Sequence, residues 1–435
     1  MKPDNSIQNF CKYPKITAFI NVNVVTMDSE EILENQKVII NNGIIDYIGR
    51  EYEIPSGALV IDANGKFLMP GLIDMHVHIN FKNELVLYIA NGVTTVRNMR
   101  EYKLFRLFPY ITNIRNKINK GKLIGPTIYS TGLIYDDTPI ISNPPFKKGT
   151  VKVNKKAKVY KLIKHEKKNG YDFIKIYNHL SKEIYEEIIK VSAEFDIPVV
   201  GHVPDSVGID LALKLGQNSI EHLTGYDKFM YEQNTTNEEK LSYYIEKTKQ
   251  NNIWNCPTLV VFTKYIPTEG LINLENSFNM QYIPWIVKCF WRIERKKLNK
   301  LFRKNSWTYL SETVHLRKNI VKKLHDEGAN LLLGTDSMDA YVIPGFSAHE
   351  ELKLLVDSGL TPFEAIKTGT INAAKFLKAI DVLGSVSIGK RADLLLVDGN
   401  PLKDIENTKK ISGVMIRGKW ISKNQLNNLL EKAVK

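Results

Sequence analysis

Eight short, mostly apolar runs recur along the middle of the chain, at Leu72 to His76, Val93 to Val96, Thr127 to Ser130, Phe173 to Tyr177, Pro198 to His202, Ser219 to His222, Trp254 to Val261 and Asn330 to Thr335. Between them lie stretches with helical spacing. A strand without polar alternation must be covered on both faces, which a parallel sheet clad in helices provides. Eight such units predict an α/β fold, a TIM-type (β/α)8 barrel.

The segment from Ser181 illustrates the helices. Ser181 is placed to cap, Glu183 suits the first turn, and Ile184, Ile188, Val191 and Phe195 recur at intervals of four, three and four. Thr361-Pro362-Phe363-Glu364 reads as a capping box with proline at the first helical position, and Ser347 with Glu350 as another cap.

The two chain ends have a different rhythm. Runs at Ala18 to Val25, Lys37 to Ile40, Ile44 to Ile48 and Leu59 to Ile61, with turns at Asn42-Gly43 and Asn64-Gly65, predict an antiparallel β unit. Ala392 to Val397 and Gly413 to Ile421 repeat the style. The expectation is a small β-sandwich built from both ends, residues 1–66 and 383–435, around a barrel at 67–382.

Composition narrows the functional classes. Hydrophobic residues at 43% and charged residues at 25% are ordinary for a globular chain, so a large core is affordable. The formal charge of +13 invites an anionic partner, yet the lysine clusters, including Lys147-Lys148 and Lys164 to Lys168, lack interleaved aromatics, and no nucleic-acid partner is expected. Three cysteines, Cys11, Cys256 and Cys289, give an odd count and no disulfide framework. With no apolar leader and no uncharged apolar stretch of spanning length, the reading is a cytoplasmic protein with no membrane partner; a homo-oligomer stays open.

The chemistry begins at His76-Val77-His78. In a strand, side chains two apart share a face, so both imidazoles can reach one ion. Barrel active sites gather at the C-terminal ends of the strands. Lys175, His202, His222 and Asp336 occupy that place on four other strands. Four imidazoles and a carboxylate suit zinc, with manganese, cobalt and iron as alternatives.

These residues resemble the amidohydrolase superfamily, and more closely its prolidase-like and imidazolonepropionase-like branch. The resemblance is carried by residues 70–78 (PGLIDMHVH), 172–177 (DFIKIY), 201–203 (GHV), 219–224 (SIEHLT), 334–336 (GTD) and 384–394 (GSVSIGKRADL). It implies that His76 and His78 hold one metal with Asp336, that His202 and His222 hold a second, and that Lys175 bridges them as a carbamate formed with carbon dioxide. It further implies an amidohydrolase in which hydroxide held between two divalent metals attacks a carbonyl, with Asp336 as proton shuttle. A small-molecule amide is the expected substrate: a dipeptide, an acyl amino acid or a cyclic amide. A mononuclear deaminase or imidazolone-ring hydrolase, a lactonase or phosphotriesterase, and a non-catalytic relative are the alternatives.

Specificity then rests with the loops. Tyr177 and His179 are candidates to bind a substrate carbonyl or carboxylate, with Asn178, Arg97 and residues 341–349 nearby. The aromatic and basic stretch from Lys264 to Thr313, with Tyr265, Phe278, Tyr282, Trp285, Phe290, Trp291 and Trp307, is expected to be a helical insertion, serving as a lid or a dimer interface.

Overall fold

The computed structural model describes residues 15–101, 111–138, 149–226, 236–265, 274–301 and 306–434. Cys11, Lys147, Lys148 and the side chain of Trp307 lie outside the described residues.

The chain opens with β1 (Ile16–Val25), β2 (Ile32–Asn41), β3 (Ile44–Gly49), β4 (Leu59–Asp62) and β5 (Phe67–Pro70). Asn42 and Gly43 join β2 to β3 with φ of 49° and 83°, the doubly left-handed backbone of a tight hairpin, which asparagine and glycine tolerate best. The expected antiparallel unit is in fact mixed. β1 pairs antiparallel with β2, but its other edge pairs parallel with β4 and then with β5. A bulge between Phe19 and Val22, where Asn21 takes φ 52°, lets one strand serve two partners in succession.

The barrel strands follow: β6 (Leu72–Val77), β7 (Val93–Asn98), β8 (Thr127–Asp136) with a short outer neighbour β9 (Thr150–Lys152), β10 (Phe173–Ile176), β11 (Val199–Gly201), β12 (Ser219–Glu221), β13 (Trp254–Cys256) and β14 (Asn330–Leu331). Apart from β9 they pair in chain order, every pair parallel. Met75 N–H donates to Leu333 O at 2.8 Å and Asp336 N–H to His76 O at 2.7 Å, so first and last strands meet and the sheet closes as a TIM-type barrel.

The helices are α1 (Glu84–Ala90), α2 (Ile111–Asn119), α3 (Lys156–Lys168), α4 (Lys182–Glu194), α5 (Gly208–Leu215), α6 (Thr236–Gln250), α7 (Leu259–Tyr265), α8 (Trp285–Leu301), α9 (Ser306–Asp326), α10 (Phe346–Val356), α11 (Pro362–Thr368), α12 (Ile371–Phe376) and α13 (Lys423–Ala433). α4 starts as expected, with Ser181 accepting from Ile184 N–H, and the Thr361–Glu364 capping box opens α11.

Two expectations are corrected. The run Trp254 to Val261 is not one strand: it breaks after Cys256, and α7 begins at Leu259. Thr258 takes φ 49°, and buried Glu351 of α10 accepts from Leu259 and Val260 N–H at 2.8 and 2.7 Å, capping the new helix from a distance. Ser347 does not cap. It lies inside α10 and accepts from Ile343 N–H at 2.9 Å, while Glu350 pairs with Lys264.

At the C-terminus, β15 (Leu394–Val397), β16 (Ile411–Ile416) and β17 (Lys419–Ser422) join the first sheet. β15 lies between β16 and β5, pairing Leu394 with Pro70 and Val397 with Phe67. Residues 67–70, from which the sequence reading starts the barrel, therefore hydrogen-bond into the small β domain. Phe19, Val38, Leu68, Leu394 and Met415 fill its core, the sandwich expected from both chain ends.

Candidate metal centre

β6 delivers His76 from its end and His78 just past it, and neighbouring strands hold that end in place. Buried Asp74 accepts from His76 N–H at 3.2 Å and from Thr335 N–H and hydroxyl at 3.1 and 2.7 Å, stapling β6 to the turn after β14. Burial pushes the Asp74 carboxyl up to about 7. Gly334 is required beside it: a Cβ there would lie 2.2 Å from Cys256 Sγ and 2.9 Å from His76 Cβ.

Four of the expected ligands converge. Asp336 Oδ1 lies 2.9 Å from His78 Nε2 and 3.4 Å from His76 Nε2, and its Oδ2 lies 3.8 Å from His222 Nε2. Ring centroids of His76 and His222 are 4.6 Å apart, and those of His222 and His202 4.9 Å. His222 and Asp336 both take φ 60°, a left-handed conformation that costs a non-glycine residue about 1–3 kcal/mol and collects at functional sites.

Three of these imidazoles are anchored through Nδ1: His76 on Glu221 at 2.7 Å, His202 on Asn178 Oδ1 at 2.7 Å and His222 on Thr258 Oγ1 at 2.6 Å. An ionised carboxylate only accepts, so Glu221 keeps the proton of His76 on Nδ1 and leaves Nε2 a lone pair. Burial first, then neighbouring Lys175, hold His76 and His202 well below the ordinary histidine range; burial lowers His222 to about 4. All three are neutral at pH 7, the form that ligates a metal.

Lys175 on β10 is 1% exposed, and its Nζ has no hydrogen-bond partner among the described residues. Burial brings its amine down to about 8, Glu221 and Asp336 opposing the change. Among the described residues such an orphaned amine is costly unless something pairs with it.

Arg97 is where the sequence reading fails. It is not a loop residue facing substrate but a fully buried side chain inside the barrel. Its Nε donates to Met75 O at 2.6 Å, Nη1 to Ser219 Oγ at 3.0 Å and Nη2 to Glu221 Oε1 at 2.8 Å, while Ser219 donates to Glu221 at 2.5 Å. The guanidinium keeps Glu221 below the usual carboxylate range against its burial. Arg97 thus holds Glu221, which holds His76. Glu221, Thr258 and Asp74 are the positioning residues missed in the sequence, and Asn178, read as a specificity residue, orients His202 instead.

Around this core stand Tyr177, His179 and Asp339. Tyr177 stacks on His202 with centroids 4.0 Å apart; burial and the nearby Asp336 charge push its hydroxyl up to about 12, so it remains a donor. His179 sits further out, its side chain half exposed and its Nδ1 3.0 Å from Asp136 Oδ2. Asp339 accepts from Tyr265 hydroxyl at 2.8 Å, and burial with neighbouring Asp336 raises its carboxyl. The expected insertion is helical over its described part. Val287 and Trp291 of α8 pack with Met338, Tyr341 and Ile343 of the loop after β14, so the insertion covers the segment carrying Asp336.

Among the described residues, two groups of side chains come close enough to share an ion: His76, His222 and Asp336, and His76, Glu221 and Cys256. In the second, Glu221 is already bound by Arg97 and Ser219, and burial raises the Cys256 thiol well above its ordinary value, disfavouring a thiolate. The first set, with His78, His202 and the orphaned Lys175 amine, fits divalent metal.

Comparison with known proteins identifies the family. Residues 67–421 match the amidohydrolase family. The chain is 23% identical to an ochratoxinase of Aspergillus niger across 93% of this chain and 88% of the relative. Its fold superposes on a bottromycin amidohydrolase with a TM-score of 0.78 at 21% identity, covering 100% of this chain and 94% of that one. An Xaa-Pro dipeptidase solved with bound methionine superposes with a TM-score of 0.70 at 21% identity, covering 94% and 100%. The chain therefore belongs to the amidohydrolase family.

Proposed function

We propose that this protein hydrolyses an amide bond of a small molecule, a dipeptide, acyl amino acid or cyclic amide, using two divalent metals, zinc by preference. His76, His78 and Asp336 would hold one metal and His202 and His222 the other, with Lys175 as the bridging carbamate. The observation that carries this reading is the pairing of converging neutral imidazoles with a buried amine that has no hydrogen-bond partner among the described residues. Neutral Lys175 adds its nitrogen lone pair to carbon dioxide and loses a proton, becoming an anionic oxygen ligand. When bound, the metals supply Lewis acidity, lowering the pKa of water toward neutrality and polarising a carbonyl.

The remaining work belongs to the chain's own side chains. Asp336, between His78 and His222, is placed to take a proton from the attacking water on its carboxylate and return it to the leaving nitrogen. Tyr177 holds its proton at pH 7 and donates to the carbonyl oxygen as negative charge develops there. His179, tied to Asp136 at the rim, binds the distal end of the substrate. The names of the relatives, a dipeptidase and an amidohydrolase among them, support an amide substrate.

The test is metal analysis of purified protein together with hydrolysis of dipeptides, acyl amino acids, cyclic amides and lactones. Two metals per chain and turnover of an amide are expected. A single metal with deamination would replace this reading with the mononuclear one, and lactone turnover without amide turnover would replace the substrate class.

A further inference from the structure

His222 and Leu223, just past the end of β12, take φ of 60° and 55°, two left-handed residues in succession and neither a glycine. Such a turn persists only where its surroundings hold it. Here the polar groups of His222 are held one by one. Its N–H donates to Cys256 O at 2.9 Å, and its Nδ1 meets Thr258 Oγ1 at 2.6 Å. Its carbonyl oxygen accepts from Arg317 Nη1 at 2.5 Å, a partner 95 residues along the chain. Nε2, 3.8 Å from Asp336 Oδ2, is the atom that remains for a ligand. Arg317 is itself buried, 6% exposed, on α9, the helix that continues out of the insertion. Its guanidinium carbon lies 3.7 Å from the centroid of the Phe262 ring, and that ring lies 6.4 Å from the ring of His222. Phe262 belongs to α7, which Thr258 immediately precedes, so one segment anchors the imidazole and supports the guanidinium. Stacking on a ring fixes the plane of the guanidinium and so the direction of its N–H groups.

We propose, on the reading that His202 and His222 hold the second of two metals, that Arg317 is a positioning residue for that metal: it locks the left-handed turn at His222 and so aims Nε2. A guanidinium has donors and no acceptor, so Arg317 acts through His222 and takes no place among the ligands. Without a donor at the carbonyl, the turn relaxes toward backbone conformations that a histidine prefers, and the direction of Cβ, which the ring follows, changes with it. His76, His78 and Asp336 come from β6 and the turn after β14, so the first metal keeps its ligands. The mark of Arg317 is therefore unequal, one metal weakened and the other spared. An arginine that only filled space would disturb both alike or neither.

The test is stepwise zinc titration of the demetallated full-length protein, with elemental analysis after loading, for the wild type, Arg317→Met and Phe262→Leu. Arg317→Met keeps an unbranched stem against Phe262 and removes the donor, whereas Phe262→Leu keeps the donor and removes the ring it rests on. The wild type is expected to bind two metals. In Arg317→Met the affinity for one should fall about 10–100-fold with the other unchanged, and in Phe262→Leu the same one should fall by a smaller factor. Loaded with a single cobalt, Arg317→Met should share its visible spectrum with His202→Ala and not with His78→Ala, which marks the weakened site as that of His202 and His222. Should Arg317→Met fail to fold, Phe262→Leu decides on the same readouts. Wild-type affinity for both metals in both variants, equal weakening of the two, or a cobalt spectrum matching His78→Ala would each overturn the role of Arg317 and leave the two-metal reading standing. A wild-type chain that binds fewer than two metals would overturn both.

Discussion

Glu221 carries two obligations at once, compensating the buried Arg97 guanidinium and fixing the proton of His76. Replacing it by Gln leaves a buried cation without its counter-charge, a loss of about 3–5 kcal/mol for a fully buried pair. Glu221→Gln should therefore lower the unfolding midpoint and weaken metal affinity about 10–100-fold, read by denaturant titration and by competition with a metallochromic chelator. Lys175→Ala removes a side chain with no hydrogen bond to lose, so its effect should fall on metal content more than on folding. A variant retaining two metals and full activity would rule out the carbamate bridge. Asp336→Asn keeps shape but loses the proton acceptor, and turnover should fall about 10²–10⁴-fold with metal still bound. These candidate ligands were legible in the sequence because each is a chemically distinctive residue at a strand end. Glu221, Thr258 and Asp74 were not, since an acid or threonine in or after a strand announces no partner 36 or 145 residues away.

At the level of elements, the strands meet the site through tightly packed junctions. Gly334→Ala would drive a methyl group into Cys256 and His76, so β6 must shift; reduced metal affinity with retained secondary structure is expected, measured by calorimetric metal titration. A second junction binds α10 to its neighbours. Buried His349 contacts Thr408 Oγ1 at 2.9 Å through Nδ1 and Asn91 O at 3.0 Å through Nε2, and burial lowers it to about 4 from 6.5. A neutral folded form means that the unfolded chain binds the extra proton between those values. Its contribution is complete above pH 6.5 and is lost as pH falls toward 4, amounting to about 3 kcal/mol at most. His349→Gln should flatten that acid limb in denaturant unfolding followed against pH. The broken run at Trp254 to Val261 shows why periodicity misjudged an element: the apolar pattern suits strand or helix, and the cap supplied by Glu351 from α10 settles it.

For the whole molecule, closure and joining of the ends govern cooperativity. The proposed ligands come from β6, β10, β11, β12 and β14 or the turns that follow them, so bound metal would tie most of the barrel's circumference together. Dialysis against a strong chelator should lower the melting temperature and zinc should restore it, the free-energy difference being about 4 kcal/mol where metal stands a thousandfold above its dissociation constant. β15 inserts between β5 and β16, so neither chain end forms the small β domain alone. A chain ended before Leu394 is expected to expose the β5 edge and aggregate, seen by size-exclusion chromatography.

By itself the sequence determined the class of fold, the strand count and the identity of the histidines, lysine and aspartate that meet at the barrel's end. Those depend on side-chain type and local spacing, which a linear chain displays. Only the tertiary structure decided that Arg97 points into the barrel to hold Glu221, that Asn178 and Thr258 serve as anchors for imidazoles, and that β1 has parallel partners. Each of these is settled by a partner distant along the chain, and burial, which sets their charge states, exists only once the barrel has closed.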